Sequence, residues 1–505
     1  ALARYRLYRS ATPITGSPSD VSPVDSVSAP DSSFTDEPDP GQTYYYRVTA
    51  VDTAGAESGF SGEASAFLYP SEVTASASRT FGGATDSTSY RLVALPGQAD
   101  RPIADAVNGE AGAQWNAYYD DGSESDFLVE YDDGSDTFRF QAGNGFWLTA
   151  TSEWSFEESI STVDLRGDSA TAIALREGWN VVSNPFGNDV NWAAVEEATG
   201  GSLQPIWGFD GSFGQAQTFA SAASGKAYYF FNGESSRDSL VIPYPGAPGT
   251  TAPSSAPEKK QDKAKMLALT ATPSRADGAA GSTVQVGLSD NAEAGLGPED
   301  LIAPPGRFAE TSLRIEAPGE TESKRARVLM AERRPVEGSG ETFSLRLMSR
   351  ADGPIALSAE HLDAVDGQSV ALLHPSAGTT YDLRQEEIVE IEPEGETAEL
   401  KLAVGTDSYV EEQTDKVLPE EVTLTSYPNP ARQQGTVEYA LPEAKTVTLT
   451  VYDVLGREVA TLAQGRKDAG RHRVQLEADR LASGVYFGRL QAGDQTLTQK
   501  ITIVR

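Results

Sequence analysis

Three histidines, His361, His374 and His472, are the side chains best able to act as bases or metal ligands near neutral pH, and they stand in unrelated contexts. None belongs to a His-Glu-x-x-His spacing, so a zinc hydrolase lacks its ligand set. No Gly-x-Ser-x-Gly elbow and no Walker phosphate loop occurs. A serine nucleophile would need partners from distant positions. His361, within Ala359-Glu360-His361-Leu362-Asp363, reads more simply as surface loop, and His472, within Gly470-Arg471-His472-Arg473, as a turn residue. Paired carboxylates could hydrolyse a glycosidic bond, but among 74 acidic residues a pair chosen by inspection carries no information. No catalytic residue, metal ligand or cofactor is therefore expected in this chain.

Two weaker patterns remain. Asp120-Asp121-Gly122-Ser123-Glu124-Ser125-Asp126 and Asp132-Asp133-Gly134-Ser135-Asp136 place carboxylates at alternate positions round a glycine, as a calcium loop does. Neither supplies the terminal bidentate glutamate, so solvated hairpin turns are favoured. The aromatic residues Trp115, Trp147, Trp179 and Trp207, with Tyr118, Tyr119, Tyr228 and Tyr229, could stack on sugar rings from an exposed sheet. They could equally form the cores of small modules poor in aliphatic residues. Their recurrence at matching positions in two segments favours the core.

The elements that must position these residues are strands. At 505 residues the chain exceeds one core and divides into several domains. In residues 70–246 a diverged repeat is visible, with copies at about 70–165 and 166–246. Tyr90-Arg91-Leu92-Val93-Ala94-Leu95-Pro96, Trp115 to Gly122 and Gly143 to Leu148 correspond to Gly178 to Phe186, Ile206 to Gly211 and Gly225 to Phe230. Each copy predicts a strand ending at proline, a short helical segment, an aromatic strand with an Asp-Gly turn, and a glycine-led aromatic strand. Around Trp192 to Ala198 the spacing turns helical, with Asn191 as N-cap. Pro245 to Pro257 and the charged run to Lys265 cannot bury a core, so 247–265 reads as linker. Alternating segments in 266–406, such as Thr283 to Leu288 and Glu399 to Gly405, read as a β-sandwich, and 407–425 as an acidic linker. The fold class is all-β: a multi-domain string of antiparallel β-sandwich modules with few short helices.

Composition narrows the partners. The chain has no cysteine, hence no disulfide framework, and no apolar run long enough to span a membrane. Its net charge is −34, so binding to DNA or RNA is not expected. From Ser426 onward, however, 11 basic residues face 8 acidic ones. Only 11 of the 40 basic residues are lysine, a balance that suits a salt-rich medium and resembles the Salinibacter and Rhodothermus group. An ordinary acidic secreted protein is the other reading.

Residues 1–69 alternate through Tyr44-Tyr45-Tyr46-Arg47-Val48-Thr49-Ala50-Val51 after Tyr5-Arg6-Leu7-Tyr8. They resemble the later part of a fibronectin type III domain. Its first two strands have no counterpart, so a truncated start with an exposed sheet face is expected, and activity could lie upstream of Ala1. The last eighty residues carry Tyr427-Pro428-Asn429-Pro430, then Val451-Tyr452-Asp453-Val454-Leu455-Gly456-Arg457, then Ser483-Gly484-Val485-Tyr486, and run out through Lys500. Val447, Leu449 and Val451 alternate with threonines, and six or seven short strands imply a small sandwich over 426–505. This series resembles the type A C-terminal sorting domain of type IX secretion cargo.

The resemblance implies export through the periplasm to an extracellular or surface-attached location. Its implied partners are the outer-membrane translocon and the signal peptidase and attachment machinery that follow, with cleavage between Thr406 and Thr425. Tyr427, Pro428, Asn429, Pro430, Gly456, Arg457, Gly484, Tyr486 and Lys500 would carry the signature, partly through fold. A modular adhesin that takes a polysaccharide or another surface ligand is one expectation. The accessory end of a larger secreted peptidase or glycosidase is another, and a structural spacer a third.

Overall fold

The computed structural model is all-β and divides into two compact units, Ala1–Lys260 and Gln261–Arg505. It describes residues 1–81, 89–123, 126–132, 137–167, 169–245, 266–274, 281–289, 292, 297, 300–317, 328–335, 338–393, 395–432, 434–478 and 481–504. The 247–265 linker lies outside these residues, as do Asp133 to Asp136 of the second acidic cluster and Glu124 and Ser125 of the first.

The first unit opens with a four-stranded antiparallel sheet in the order Asp25–Ser28, Leu2–Ser10, Gln42–Asp52, Ala64–Leu68. Its own loops cover part of its faces, although Leu2 and Leu68 stay exposed. The Glu57 carboxylate reaches back to Tyr8 Oη (2.6 Å), Thr49 Oγ1 (2.5 Å) and Arg6 Nη1 (2.6 Å), and Phe60 packs edge-on against Tyr8. On the other face Asp36 accepts from Arg9 (2.8 Å) and Tyr46 (2.9 Å). Loop carboxylates thus bond strand hydroxyls and guanidiniums on each face of the sheet.

The same topology then occurs twice. In the first copy Glu72–Arg79 pairs with Trp154–Ser161, and a four-stranded sheet runs Arg91–Val93, Phe146–Ala150, Trp115–Asp120, Leu128–Glu130. In the second, Ala170–Ala174 pairs with Ser239–Pro243, and the sheet runs Gly178–Val182, Tyr228–Asn232, Ile206–Phe209, Phe213–Ala216. Each copy adds one small strand pair and one helix, Ile103–Ala106 or Trp192–Thr199. The longer helix starts where its spacing predicts, with the Asn191 side chain accepting from Ala193 N (2.9 Å).

The copies meet reciprocally. Ser183 N donates to Gly143 O (2.9 Å), and Ala94 N, its counterpart, donates to Gly225 O (3.4 Å). A Cβ at Gly145 would lie 2.6 Å from Ala227 Cβ and 2.7 Å from Val93 O, so only glycine allows this approach. At the centre Trp147 Nε1 donates to Tyr229 Oη (3.1 Å), which donates to the buried carboxylate of Asp120 (2.8 Å). Arg176 pairs with the same carboxylate at 3.1 Å. Trp115, Trp147, Trp179 and Trp207 are all buried, between 1% and 4% exposed, so they build the cores of the repeat and offer no exposed stacking face.

Among the described residues of the second unit, eleven strands form one continuous sheet. The pairing of Ser282–Leu288 with Val328–Arg334 is parallel. The sheet curls, since Leu313 N reaches Ser282 Oγ (2.9 Å) from a strand that is not its neighbour. The 407–425 segment is not an open linker. Asp407–Asp415 is a helix capped by Thr406, and it lays Val410 and Tyr409 against Ala371, Leu373 and Ala403. Its acidic residues face water, while Tyr409, Val410 and Val417 make a one-sided apolar stripe at helical spacing. The composition of the segment hid that stripe.

The terminal domain begins slightly earlier than residue 426, because Thr423–Tyr427 is its first strand and Val422 and Leu424 join its core. One sheet runs Thr423–Tyr427, Gly435–Leu441, Gly470–Leu476; the other runs Glu458–Lys467, Lys445–Asp453, Gly484–Ala492, Gln495–Ile503. Val447, Leu449 and Val451 are fully buried between them, as their alternation predicts.

Candidate functional site

Registers within the four-stranded sheet of the terminal domain decide which distant residues share an end. Asp453 faces Tyr486, Tyr452 faces Phe487, Phe487 faces Lys500 and Gly484 faces Ile503. The end of Lys445–Asp453, the start of Gly484–Ala492 and the close of Gln495–Ile503 therefore lie together.

The Tyr427–Pro430 segment is fastened to this same end through Asn429. Its Nδ2 donates to Lys500 O (2.7 Å) and its Oδ1 accepts from Thr502 N (2.9 Å). Ala431 continues the seam, donating to Thr502 O (2.8 Å) and accepting from Val504 N (2.9 Å). Only an amide side chain offers a donor and an acceptor on one fork, which accounts for asparagine at 429. Both X–Pro bonds of the segment are cis. Tyr427 is 44% exposed and donates to Glu438 Oε2 (3.2 Å). Tyr486 is buried and donates to Ala482 O (2.9 Å), closing the loop before Gly484. All nine signature positions, from Tyr427 to Lys500, thus gather at one end of the domain.

The hairpin turn at that end is built by Asp453. Its Oδ1 accepts from Leu455 N (2.9 Å) and Arg457 N (3.0 Å), and its Oδ2 from Arg457 Nε (2.7 Å). Gly456 has φ +77°, the left-handed region that glycine enters freely. The turn holds Val454 and Leu455 out in water at 67% and 75% exposure, with Val459 at a bulge of the same hairpin and Phe487 opposite Tyr452, each at 37%. Sequence reasoning named Gly456 and Arg457 but missed Asp453, Val454 and Leu455 as site residues. The signal was available: two aliphatic residues occupy the centre of an Asp-x-x-Gly turn, where polar residues are usual.

Backbone N–H bonds, led by that of Arg457, hold the Asp453 carboxyl below its ordinary value of 3.8. Burial pushes the Glu438 carboxyl up, but the Arg473 bond (2.7 Å), Tyr427 and Arg471 outweigh it and leave it below 4.5. A depressed carboxyl stabilises the fold above its ordinary value, and that stabilisation is lost as pH falls through the folded value. The Leu455 and Arg457 amide resonances are therefore expected to hold steady from pH 7 to 5 and to shift together below about pH 4. A transition near pH 6 would mean that another group holds the turn.

The histidines divide. His472 lies on the Gly470–Leu476 strand rather than in a turn, stacked on Tyr439 at 5.0 Å with Nε2 2.9 Å from Asp468 O. His361 caps a short 3₁₀ segment at the surface, and His374 is buried. Tyr439 is fully buried and its hydroxyl has no hydrogen-bond partner among the described residues. Tyr439→Phe is therefore expected to leave the domain as stable or to stabilise it by about 1 kcal/mol in urea unfolding. A loss of that size would show that the hydroxyl is bonded in solution.

Among solved structures, PorZ, a surface component of the type IX secretion system of Porphyromonas gingivalis, is 18% identical over 26% of this chain and 16% of its own, with a TM-score of 0.15. Dimeric latent PorU of the same organism is 10% identical over 92% of this chain and 32% of its own, with a TM-score of 0.15. A polysaccharide lyase is 9% identical over 47% and 39%, with a TM-score of 0.14. The chain thus spans less than half the length of each of these proteins. Comparison with curated proteins gives no match. No helix among the described residues is long and apolar enough to cross a membrane. Residues 425–504 match the family described as the secretion system C-terminal sorting domain, and this supports export by type IX secretion to the cell surface or the medium.

Proposed function

We propose that this chain is non-catalytic cargo of type IX secretion, addressed by its terminal domain, whose remaining modules serve adhesion or binding outside the cell. The observation that carries the reading is the convergence of Tyr427–Pro430, Gly456–Arg457, Gly484–Tyr486 and Lys500 at one end of a domain that matches the sorting family. The translocon would engage that end. The peptidase that follows would cut in Lys416–Val422, the stretch between the Asp407–Asp415 helix and the Thr423–Tyr427 strand.

For the binding role, the first unit offers an open groove of about 840 Å³ lined by Phe67, Tyr69, Pro70, Asp164 and Leu165. Aromatic faces beside a carboxylate suit a neutral sugar better than an anionic one. The fibronectin-like start would act as a spacer beside it.

The address is tested by fusing residues 422–505 to a periplasmic reporter in a host with this system, and by deleting them from the parent. The reporter is expected outside the cell and the truncated parent inside the periplasm. A reporter that stays in the periplasm while the truncated parent is exported overturns the reading.

A further inference from the structure

We infer that the terminal domain is docked on the preceding sheet, and that this dock protects the Lys416–Val422 connection from proteolysis until the domain is pulled away. The inference rests on the sorting reading for its biological meaning, but its geometry stands alone. The turn Pro375–Gly378, between the strands Ser369–His374 and Thr379–Asp382, meets the first residues of the Gly470–Leu476 strand. Arg471 N donates to Ala377 O at 2.6 Å.

Gly470 has φ +126°, and a Cβ there would strike Thr379 Cγ2 and come within 2.9 Å of Gly378 O. Both the backbone angle and the contact call for glycine. From the other side Gly378, at φ +63°, faces Arg471 Cγ and Pro419 Cδ, so the connection itself passes over the dock.

The connection is short and held at both ends. Val417 N and Leu418 N donate to Thr414 O (3.0 and 3.1 Å), which continues the helix turn into the segment. Val417 packs on the helix–sheet cluster, and Val422 is buried in the core of the terminal domain. Glu420 and Glu421 are exposed, yet a peptidase needs several residues drawn out in extended form. Seven residues fixed at both termini do not supply that length until one end lets go. The dock therefore couples cleavage to engagement: pulling the terminal domain off Ala377 and Thr379 frees Pro419 and the residues around it.

The test is limited digestion of the full chain with a glutamate-specific endoprotease, following cuts at Glu420 and Glu421 by mass spectrometry. Gly470→Val breaks the dock from the terminal domain and Thr379→Arg breaks it from the sheet. Each is expected to speed these cuts by about tenfold or more while circular dichroism keeps the β signal. Since the protein has no cysteine, an Ala377→Cys/Arg471→Cys pair can clamp the dock, the N–O approach placing the two backbones within disulfide reach.

In that protein the cuts should be slow when oxidised and return to the parent rate when reduced. Equal rates in oxidised, reduced and single-variant proteins overturn the inference even if the reporter fusion is exported. Loss of reporter export with the rate differences intact would sink the address and leave the dock standing.

Discussion

Replacing Val454 and Leu455 together with aspartate is expected to cut export of the 422–505 reporter fusion by at least about tenfold without unfolding the domain. The two side chains are 67% and 75% exposed, so little packing is lost, and surface changes of this kind usually move stability by only about 0.5 kcal/mol. The loss instead falls on whatever receives the tip. An apolar pair held in water by three hydrogen bonds to Asp453 costs solubility in the free protein, and burial against a partner recovers it at about 25 cal/mol per Å². The check is the secreted fraction of reporter beside the melting temperature of the purified fusion. Unchanged export at unchanged melting temperature would remove the tip from recognition. Lost export with a lowered melting temperature would mean that the turn, rather than its two side chains, had been damaged.

Trp147→Ala is expected to destabilise the tandem repeat by about 3–5 kcal/mol, among the larger effects available to a single substitution. Trp147 is 1% exposed, packs edge-on against Phe209 at 4.9 Å and bonds Tyr229, which carries the hydrogen bond to Asp120. Phe209 and Tyr229 belong to the second copy, so the cavity opens at the junction of the copies and both should unfold together. Urea unfolding of residues 70–245 within the full chain, followed by tryptophan fluorescence, measures the change. A variant that kept its stability but lost affinity for a glycan would restore the exposed-platform reading of these aromatics.

The terminal domain was the most legible part of the chain, because its strands alternate and its turns carry proline, glycine and aspartate at positions with few conformational choices. The helix Trp192–Thr199 was equally legible, since asparagine caps it and its apolar spacing is helical. The helix Asp407–Asp415 was not. Its segment is rich in acidic residues, and the apolar residues that dock it are few; their value lies in a partner surface of Ala371, Leu373 and Ala403 that lies tens of residues away. The same limit hid Val454 and Leu455. A sequence lists them as apolar, and only the fold shows them exposed.

What the residues alone determined is local: an all-β chain, a duplicated aromatic module, an acidic body with a charge-balanced tail, and a punctuated tail that matches a sorting family. Tertiary structure decided the rest. Strand register carried Asn429 to Lys500, seventy-one positions on, and brought the turn of Asp453 to the same end. Close packing turned the tryptophans of the repeat inward, and a glycine without a side chain let the terminal domain rest on the sheet before it. Local pattern encodes the period of each strand, whereas register, burial and contact depend on which strands meet, a property of the whole chain.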